Sequence, residues 1–380
     1  MRAPGGRTPQ GGGGSQEPPA DTAAGDAKRG DAVVRRTRGS SGKVKLDEVA
    51  RAAGVSTATV SRAFNEPDKV SDEIRERVFA VANALHWIPN AAGRALASSR
   101  THIAGAIIPT LDNEVFARQI NAMQAVMAGH GYTLFIGCSN YDQAEGLKQA
   151  QAMLARGVEA LAFAGERHPA ELFQALKARG LPYVVTYSYR ADSPHCCVGF
   201  DNKVAFRRIT RHLLELGHRR FGIISQPVAD NDRVEARLAG INEELADAGL
   251  AVPEGRCLIG PGTLDAGAQG LARLMDSPKA DRPTAVICGN DNLALGALAC
   301  APFLGLRAPD DFSITGFDDL AISSRLSPRL TTMRVDNHAI GAIAAEKLLW
   351  SMGHKGKAAE PRELVPDLIV RDTSGPPSGD

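Results

Sequence analysis

The sequence predicts an α/β protein in two parts, a small all-α head carrying a helix-turn-helix and a two-lobed body of parallel sheets covered by helices. Three observations carry this. Between Leu46 and Asn65 a glycine separates two short amphipathic helical patterns. From Ile103 onward, apolar strand-like runs alternate with amphipathic helical patterns, the signature of parallel sheets with helices on both faces. Those runs are too many for one lobe of about 265 residues, so two lobes are expected.

The parts follow in order. Residues 1–42 hold 10 Gly and 4 Pro without apolar periodicity, and such a stretch cannot bury enough surface to offset chain entropy, so it reads as a disordered tail. Residues 43–88 read as the head, with helical patterns at 46–53, 57–64 and 72–85. Residues 89–101 form a linker with a short helical pattern behind Pro89. Residues 102–372 form the body. Its strand-like runs include Ile103–Ile108, Tyr132–Ile136, Val158–Phe163, Tyr183–Tyr187, Phe221–Ser225, Thr284–Cys288 and Phe312–Gly316. Helical patterns such as Val115–Ala128, Val204–Leu216 and Leu293–Leu304 lie between them, and Gly199–Asn202 is a candidate crossing between lobes. Residues 373–380 read as a polar tail with no leucine heptad.

Composition narrows the function classes. The chain has 380 residues and a formal net charge of only +1. Residues 1–100 carry 16 basic and 11 acidic side chains, so a basic front precedes an acidic remainder, as a local anionic partner such as nucleic acid would favour. No stretch approaches the ~20 apolar residues of a membrane helix. No secretory apolar run is present, and the six cysteines lack zinc-ligand spacing. A cytoplasmic protein with reduced thiols, and with neither metal nor cofactor, is expected.

The densest signal is LDEVARAAGVSTATVSRAFN, Leu46 to Asn65. Leu46, Val49, Ala50 and Ala53 form an apolar stripe, and Ala50 is small where two helices would cross. Gly54 sits where the chain must turn with positive φ, which glycine adopts without a Cβ clash. Ser56 can cap the second helix and Val60 can anchor it. That leaves Thr57, Ala58, Ser61 and Arg62 exposed. A helix start offers free N–H groups to phosphate, short side chains allow close approach to base edges, and Arg62 can contact guanine bidentately. A helical hairpin in an unrelated bundle would not require turn, stripe and exposed face to agree at this spacing.

The run VKLDEVARAAGVSTATVSRAFN, with VSDEIRERV and ALHWIPNAAGRALAS after it, closely resembles the head of the lactose-repressor/galactose-repressor family of bacterial regulators. The resemblance extends more loosely to about residue 370 and implies a periplasmic-binding-protein-like body. It implies that Thr57, Ala58 and Arg62 read bases while Ser56, Ser61, Asn65 and Lys69 hold the backbone. It also implies a homodimer on a pseudo-palindromic double-stranded operator. PNAAGRALASS resembles the family's hinge helix. Asn90 is a good cap there, but Gly93 and the short length make the helix marginal alone. Leu96 matches the wedge that enters the minor groove.

In a parallel sheet, ligands sit beyond the carboxyl ends of the strands. Asn290 follows the run Thr284–Cys288, Asp318 follows Phe312–Gly316, and Arg237 follows Phe221–Ser225. The motifs GHRRFGII, RLAG, NDNLALG and GFDD resemble the family's effector lobe, which implies that Arg237, Asn290 and Asp318 touch a small polar effector. Phe116 and Tyr187 match ligand-facing positions of the other lobe, although Tyr187 stands where some sugar-binding relatives carry an acid. VFARQI resembles the gluconate-repressor branch, so a sugar or sugar acid is expected, with a purine-type effector as the rival. An enzyme is disfavoured because no GxSxG, P-loop or glycine fingerprint occurs at a strand–helix junction. A solute-binding protein would share the lobes but need an export signal and no head.

Overall fold

A computed structural model describes residues 44–89, 100–356, 358 and 360–378. The chain divides into two compact units on either side of Pro89.

In the first unit, α1 (Leu46–Ala53) ends on Gly54 at φ 66°, the left-handed conformation the sequence requires there. α2 (Thr57–Asn65) starts on Ser56, whose hydroxyl oxygen accepts from the Thr59 amide at 3.1 Å. α3 (Asp72–Ala84) closes the unit. Val49, Ala53, Val60, Ala63 and Val78 are fully or almost fully buried between the three helices. So small a core needs aromatic bulk, and Phe64 supplies it, packing on Phe79 and Trp87 at ring separations of 4.7 and 5.4 Å.

The second unit holds two six-stranded sheets. The first takes β1 (Ile103–Ile108), β2 (Thr133–Cys138), β3 (Ala160–Ala164), β4 (Tyr183–Thr186) and β5 (Cys197–Gly199) in the order β5-β4-β3-β1-β2. The second takes β6 (Phe221–Ser225), β7 (Cys257–Ile259), β8 (Ala285–Cys288), β9 (Ser313–Asp318) and β10 (Thr331–Arg334) in the order β10-β9-β8-β6-β7. β11 (Arg362–Glu363) joins the first sheet beside β5, in parallel, and β12 (Asp367–Ile369) joins the second beside β10, antiparallel. The chain therefore crosses between lobes at 199–202, again after β10, and once more between β11 and β12.

The covering helices cross at glycines. α4 (Glu114–Gly129), α5 (Gln143–Ala155) and α6 (Ala170–Ala178) belong to the first lobe, and α7 (Asn202–Glu215), α8 (Asp232–Asp247), α9 (Leu264–Met275) and α10 (Asp291–Cys300) to the second. α11 (Asn337–Ser351) returns to pack on α4. A Cβ on Gly267 of α9 would overlap the Leu293 carbonyl of α10, and a Cβ on Gly296 of α10 would overlap the Leu264 carbonyl of α9. Gly240 meets the Lys203 carbonyl of α7 in the same way, and Gly341 of α11 meets Gln119 of α4.

Several boundaries differ from the sequence reading for local reasons. The helix expected over Leu293–Leu304 stops at Cys300, and Ala301–Leu304 tightens into a 3₁₀ turn because Pro302 has no N–H to continue the ladder. β2 begins after Tyr132, whose hydroxyl donates to Glu159 at 3.0 Å. β3 begins at Ala160, since Gly157 at φ 79° is still turning the chain. The stretch expected as a polar tail from 373 is pinned to the second lobe through Gly375. Thr373 is fully buried, its hydroxyl accepts from Thr331 N, and the Gly375 carbonyl accepts from Ser313 Oγ at 2.9 Å.

The reciprocal glycines give a stability test. Gly296→Ala is expected to cost about 1–3 kcal/mol by overpacking, read as a lower urea midpoint with an unchanged slope. Gly129→Ala, where an added Cβ meets nothing within 4 Å, is expected to be neutral or stabilising by up to about 1 kcal/mol. Equal effects from the two would show that close approach does not constrain the α9/α10 crossing.

Candidate functional site

On the head, the exposed surface of α2 carries Thr57, Ala58, Arg62 and Asn65, with Ser61 half-buried beside them. Asn65 Nδ2 donates to Ser61 Oγ at 3.1 Å, so these two side chains hold each other in place along one helix face. The Ser56 hydroxyl lies 2.9 Å from Thr59 Oγ1 as well as capping α2. Lys69, in the turn Pro67–Lys69, pairs with Glu66 at 3.0 Å with both side chains well exposed, an arrangement that a phosphate could replace at little cost. Asn90 and Leu96 lie outside the described residues.

In the body, Phe116, Tyr187, Arg237, Asn290 and Asp318 line one cavity of about 50 Å³ between the two sheets' carboxyl ends. Each is fixed by a different device. Phe116 is buried in the first turns of α4 and meets the Tyr187 ring edge-on at 5.2 Å. Tyr187 follows β4 at φ 61°, and its hydroxyl donates to the Val115 carbonyl at 2.9 Å. Burial raises that phenol well above its ordinary pKa, so it stays neutral. Asn290 caps α10, accepting from Leu293 N at 2.9 Å, and donates to the Gly262 carbonyl at 3.2 Å. Arg237 lies over the Phe317 ring at 4.3 Å and donates to Asn202 Oδ1 and the Gly289 carbonyl, each at 2.8 Å. Burial lowers its pKa to about 10, which still leaves it charged at neutral pH.

Asp318 ends β9 at φ 121° and is followed by Asp319 at φ 55°, two consecutive residues in backbone that disfavours side chains. The two carboxylates diverge. Asp319 takes Arg334 Nε at 2.8 Å and Arg371 Nη2 at 2.6 Å, whereas Asp318 faces the cavity and makes no side-chain hydrogen bond among the described residues. Burial pushes the Asp318 carboxyl well above the carboxylate range, with the Arg237 charge opposing.

Sequence reasoning missed several members of the lining. Arg233 lies four residues before Arg237 on α8, hence on the same helix face. Tyr141 follows β2, in a polar run after a strand end, as Asp318 follows β9's apolar run. Gln226 follows β6 directly, and its Oε1 is buried without a partner. Asp291 follows Asn290 as the first residue of α10. It is fully buried and accepts from Leu320 N at 2.8 Å, Ser323 Oγ at 2.6 Å and Thr332 Oγ1 at 2.6 Å, so it positions the Asp318 loop without facing the cavity.

A helix-turn-helix with an exposed second helix, joined in one chain to two parallel-sheet lobes around a polar cavity, defines a DNA-binding transcription regulator. Comparison with known proteins bears on which kind. Residues 45–90 match the model for bacterial regulatory proteins of the lacI family, and residues 210–374 match that for a periplasmic binding protein-like domain. The HTH-type transcriptional repressor PurR of Escherichia coli O139:H28 is 32% identical over 329 residues, 86% of this chain and 95% of its own. CytR of Escherichia coli K12, another HTH-type transcriptional repressor, is 31% identical over 330 residues, 87% and 96% of the two chains. The lac repressor dimer bound to operator and the anti-inducer ONPF superposes with a TM-score of 0.74 at 26% identity, over 87% of this chain and 99% of that one. The chain belongs to the lacI family, and it is a DNA-binding transcriptional repressor of that family.

The raised Asp318 carboxyl has a consequence for stability. Because the folded chain holds this group harder to ionise than the unfolded chain does, its ionisation at neutral pH costs stability, and the cost fades as pH falls through the raised pKa. Asp318→Asn is expected to raise the melting temperature of ligand-free protein at pH 8, with the difference shrinking toward pH 5. A lower melting temperature for the variant at pH 8 would contradict this assignment.

Proposed function

We propose that the protein binds a pseudo-palindromic operator of roughly 14–20 base pairs as a homodimer in the cytoplasm, and that a hydroxyl-rich effector, a sugar or sugar acid, releases it. The observation that carries the effector reading is the unpartnered Asp318 carboxylate facing Arg237 and Asn290 across one cavity. Vicinal hydroxyls donate to a carboxylate and accept from guanidinium and amide groups at once, which a flat apolar ring does not. A cavity of about 50 Å³ is far below the ~300 Å³ or more of a typical small-molecule site. An effector therefore enters only by parting the lobes, which gives it a differential affinity for two lobe angles. A difference of about 1–3 kcal/mol would change operator affinity 5–150-fold, transmitted through linker 89–101 with Leu96 as its minor-groove wedge.

Thermal-shift screening of sugars, sugar acids, sugar phosphates and purines tests the ligand class, and a hit confined to purines would replace the sugar reading. With a hit in hand, Asp318→Ala is expected to lose the response to that ligand while the ligand-free protein keeps its operator affinity. A normal response would remove Asp318 from the site.

On the DNA side, Thr57, Ala58 and Arg62 read bases while Ser56, Ser61, Asn65 and Lys69 hold the backbone, and Asn90 caps the hinge that meets the DNA. Arg62→Ala is expected to weaken specific binding by roughly 1–3 kcal/mol and to relax one base position in each half-site. Lys69→Ala is expected to weaken all sequences alike and to lower the salt slope by about one per head. Selection from random DNA reads both, and an unchanged motif for Arg62→Ala would exclude it as a base reader.

A further inference from the structure

The parallel strands of the first sheet finish at the cleft, so their starts share the opposite end of the first lobe, and what stands there is basic. The segments that lead into β1, β2, β3 and β4 are 100–102, 130–132, 156–159 and 179–182. With 352–356 after α11, they hold Arg100, Arg156, Arg179 and Lys355 against one acid, Glu159. All four cations are exposed, and so are His102 and His130 beside them. The segment after α11 belongs to this end because Arg100 Nη2 donates to the Met352 carbonyl at 3.2 Å and the His354 ring meets His130 at 5.6 Å. β4, β3, β1 and β2 are neighbours in that order. At about 4.8 Å per strand, the segments bearing Arg179, Arg156, Arg100 and His130 form one row roughly 14 Å across.

Cations gather at helix ends for an ordinary reason, since the last carbonyls carry partial negative charge. Arg156 donates to the Ala152 carbonyl at 2.8 Å and Arg179 to the Leu154 carbonyl at 3.1 Å. That does not account for the bias. The second lobe has the same geometry, and its segments between helix and strand, 216–220, 248–256, 276–284 and 301–312, hold six cations with five acids. Nor are the charges of the first lobe neutralised. Arg156, Arg179 and Lys355 pair with no carboxylate among the described residues, and a carbonyl fixes a guanidinium while leaving its charge. Glu159 lies 3.6 Å from Arg100 but is also taken up by Thr101 N, His102 N and the Tyr132 hydroxyl. On α7, by contrast, Arg207 and Arg211 are matched by Glu243, Glu244 and Asp247 of α8.

An exposed row of cations without matching acids fits a polyanion. The chain leaves this same end at Arg100, and ten residues, 90–99, join it to the head. Ten residues span at most about 36 Å, so DNA gripped by the head is presented to this end at high effective concentration. We propose that the end of the first lobe where its strands start is a second DNA-contacting surface, in which Arg100, Arg156, Arg179 and Lys355 bind duplex phosphates outside the head's own contacts. It adds affinity without reading sequence, because phosphates carry none.

The test is titration of full-length protein with a selected operator duplex and an unrelated duplex of equal length, over about 50–200 mM salt. Arg156→Gln, Arg179→Gln and Lys355→Gln combined are expected to weaken binding to both duplexes and to lower the salt slope by about two to three per chain. Selection from random DNA then returns the same motif, and hydroxyl-radical footprints lose backbone protection only outside the head's half-sites. Arg219→Gln, Lys279→Gln and Arg307→Gln remove the same charge from the balanced end of the second lobe, and are expected to leave the slope as it is. Because Arg156 and Arg179 also hold helix carbonyls, melting curves check folding. Lys355→Glu, whose side chain holds nothing among the described residues, repeats the test alone, with the slope lowered by about one or more. An unchanged slope in both the triple variant and Lys355→Glu, or an equal drop from the second-lobe control, overturns the proposal.

Discussion

The mouth of the cleft depends on the carboxylate of Asp291. It is fully buried, and it survives there because three donors converge on it from the segment after β9 and from β10. An ionised carboxylate in such a place is tolerable only with its oxygens satisfied, and removing any donor would expose the desolvation cost. Burial still raises its pKa, which measures how much those bonds must offset. The backbone of β9 gives way to it at Gly316, where a Cβ would overlap Asp291 Oδ1. Asp291 thus sets the height of the strand end, the following turn and the direction in which Asp318 points.

That anchoring explains how two adjacent aspartates can hold left-handed backbone. Each such residue costs on the order of 1–3 kcal/mol and persists only where surrounding contacts over-determine it. Here the contacts are Asp291 on one side and the Arg334 and Arg371 clasp of Asp319 on the other. One aspartate is spent on structure so that its neighbour can stand unpaired before the cavity. Stability is given up at the position where a ligand would recover it, a common arrangement at binding sites.

The head was legible almost residue by residue, because its information is local: Gly54 supplies the turn, Ser56 the cap, and Val49, Ala53 and Val60 the stripe. The long strands of the body were legible for the same reason, as continuous apolar runs. What the sequence hid is long-range. β5 and β7 are three residues long, and β10 reads as Thr-Thr-Met-Arg, so none carries a period that marks a strand. Residues that gather at the cleft through strand ends were found where a motif flagged them, as at Asp318. They were missed where only the fold brings them in, as at Tyr141 and Gln226. The glycines at helix crossings gave no signal of their own, since their need arises from the partner helix.

The last segment of the chain closes both lobes. α11 packs onto α4 and β11 completes the first sheet, although both are encoded after β10 of the second lobe, and β12 and the Thr373 tether then finish the second sheet. On a ribosome, residues 103–199 emerge long before the helix that covers them, so the first lobe waits half-built with the face of α4 that receives α11 uncovered. Neither lobe is a contiguous piece of sequence, and a nascent chain arrested before residue 337 would lack parts of each. Completion of both lobes therefore waits for the same stretch, residues 337–375, which supplies the helix over one and the edge strands of the two sheets.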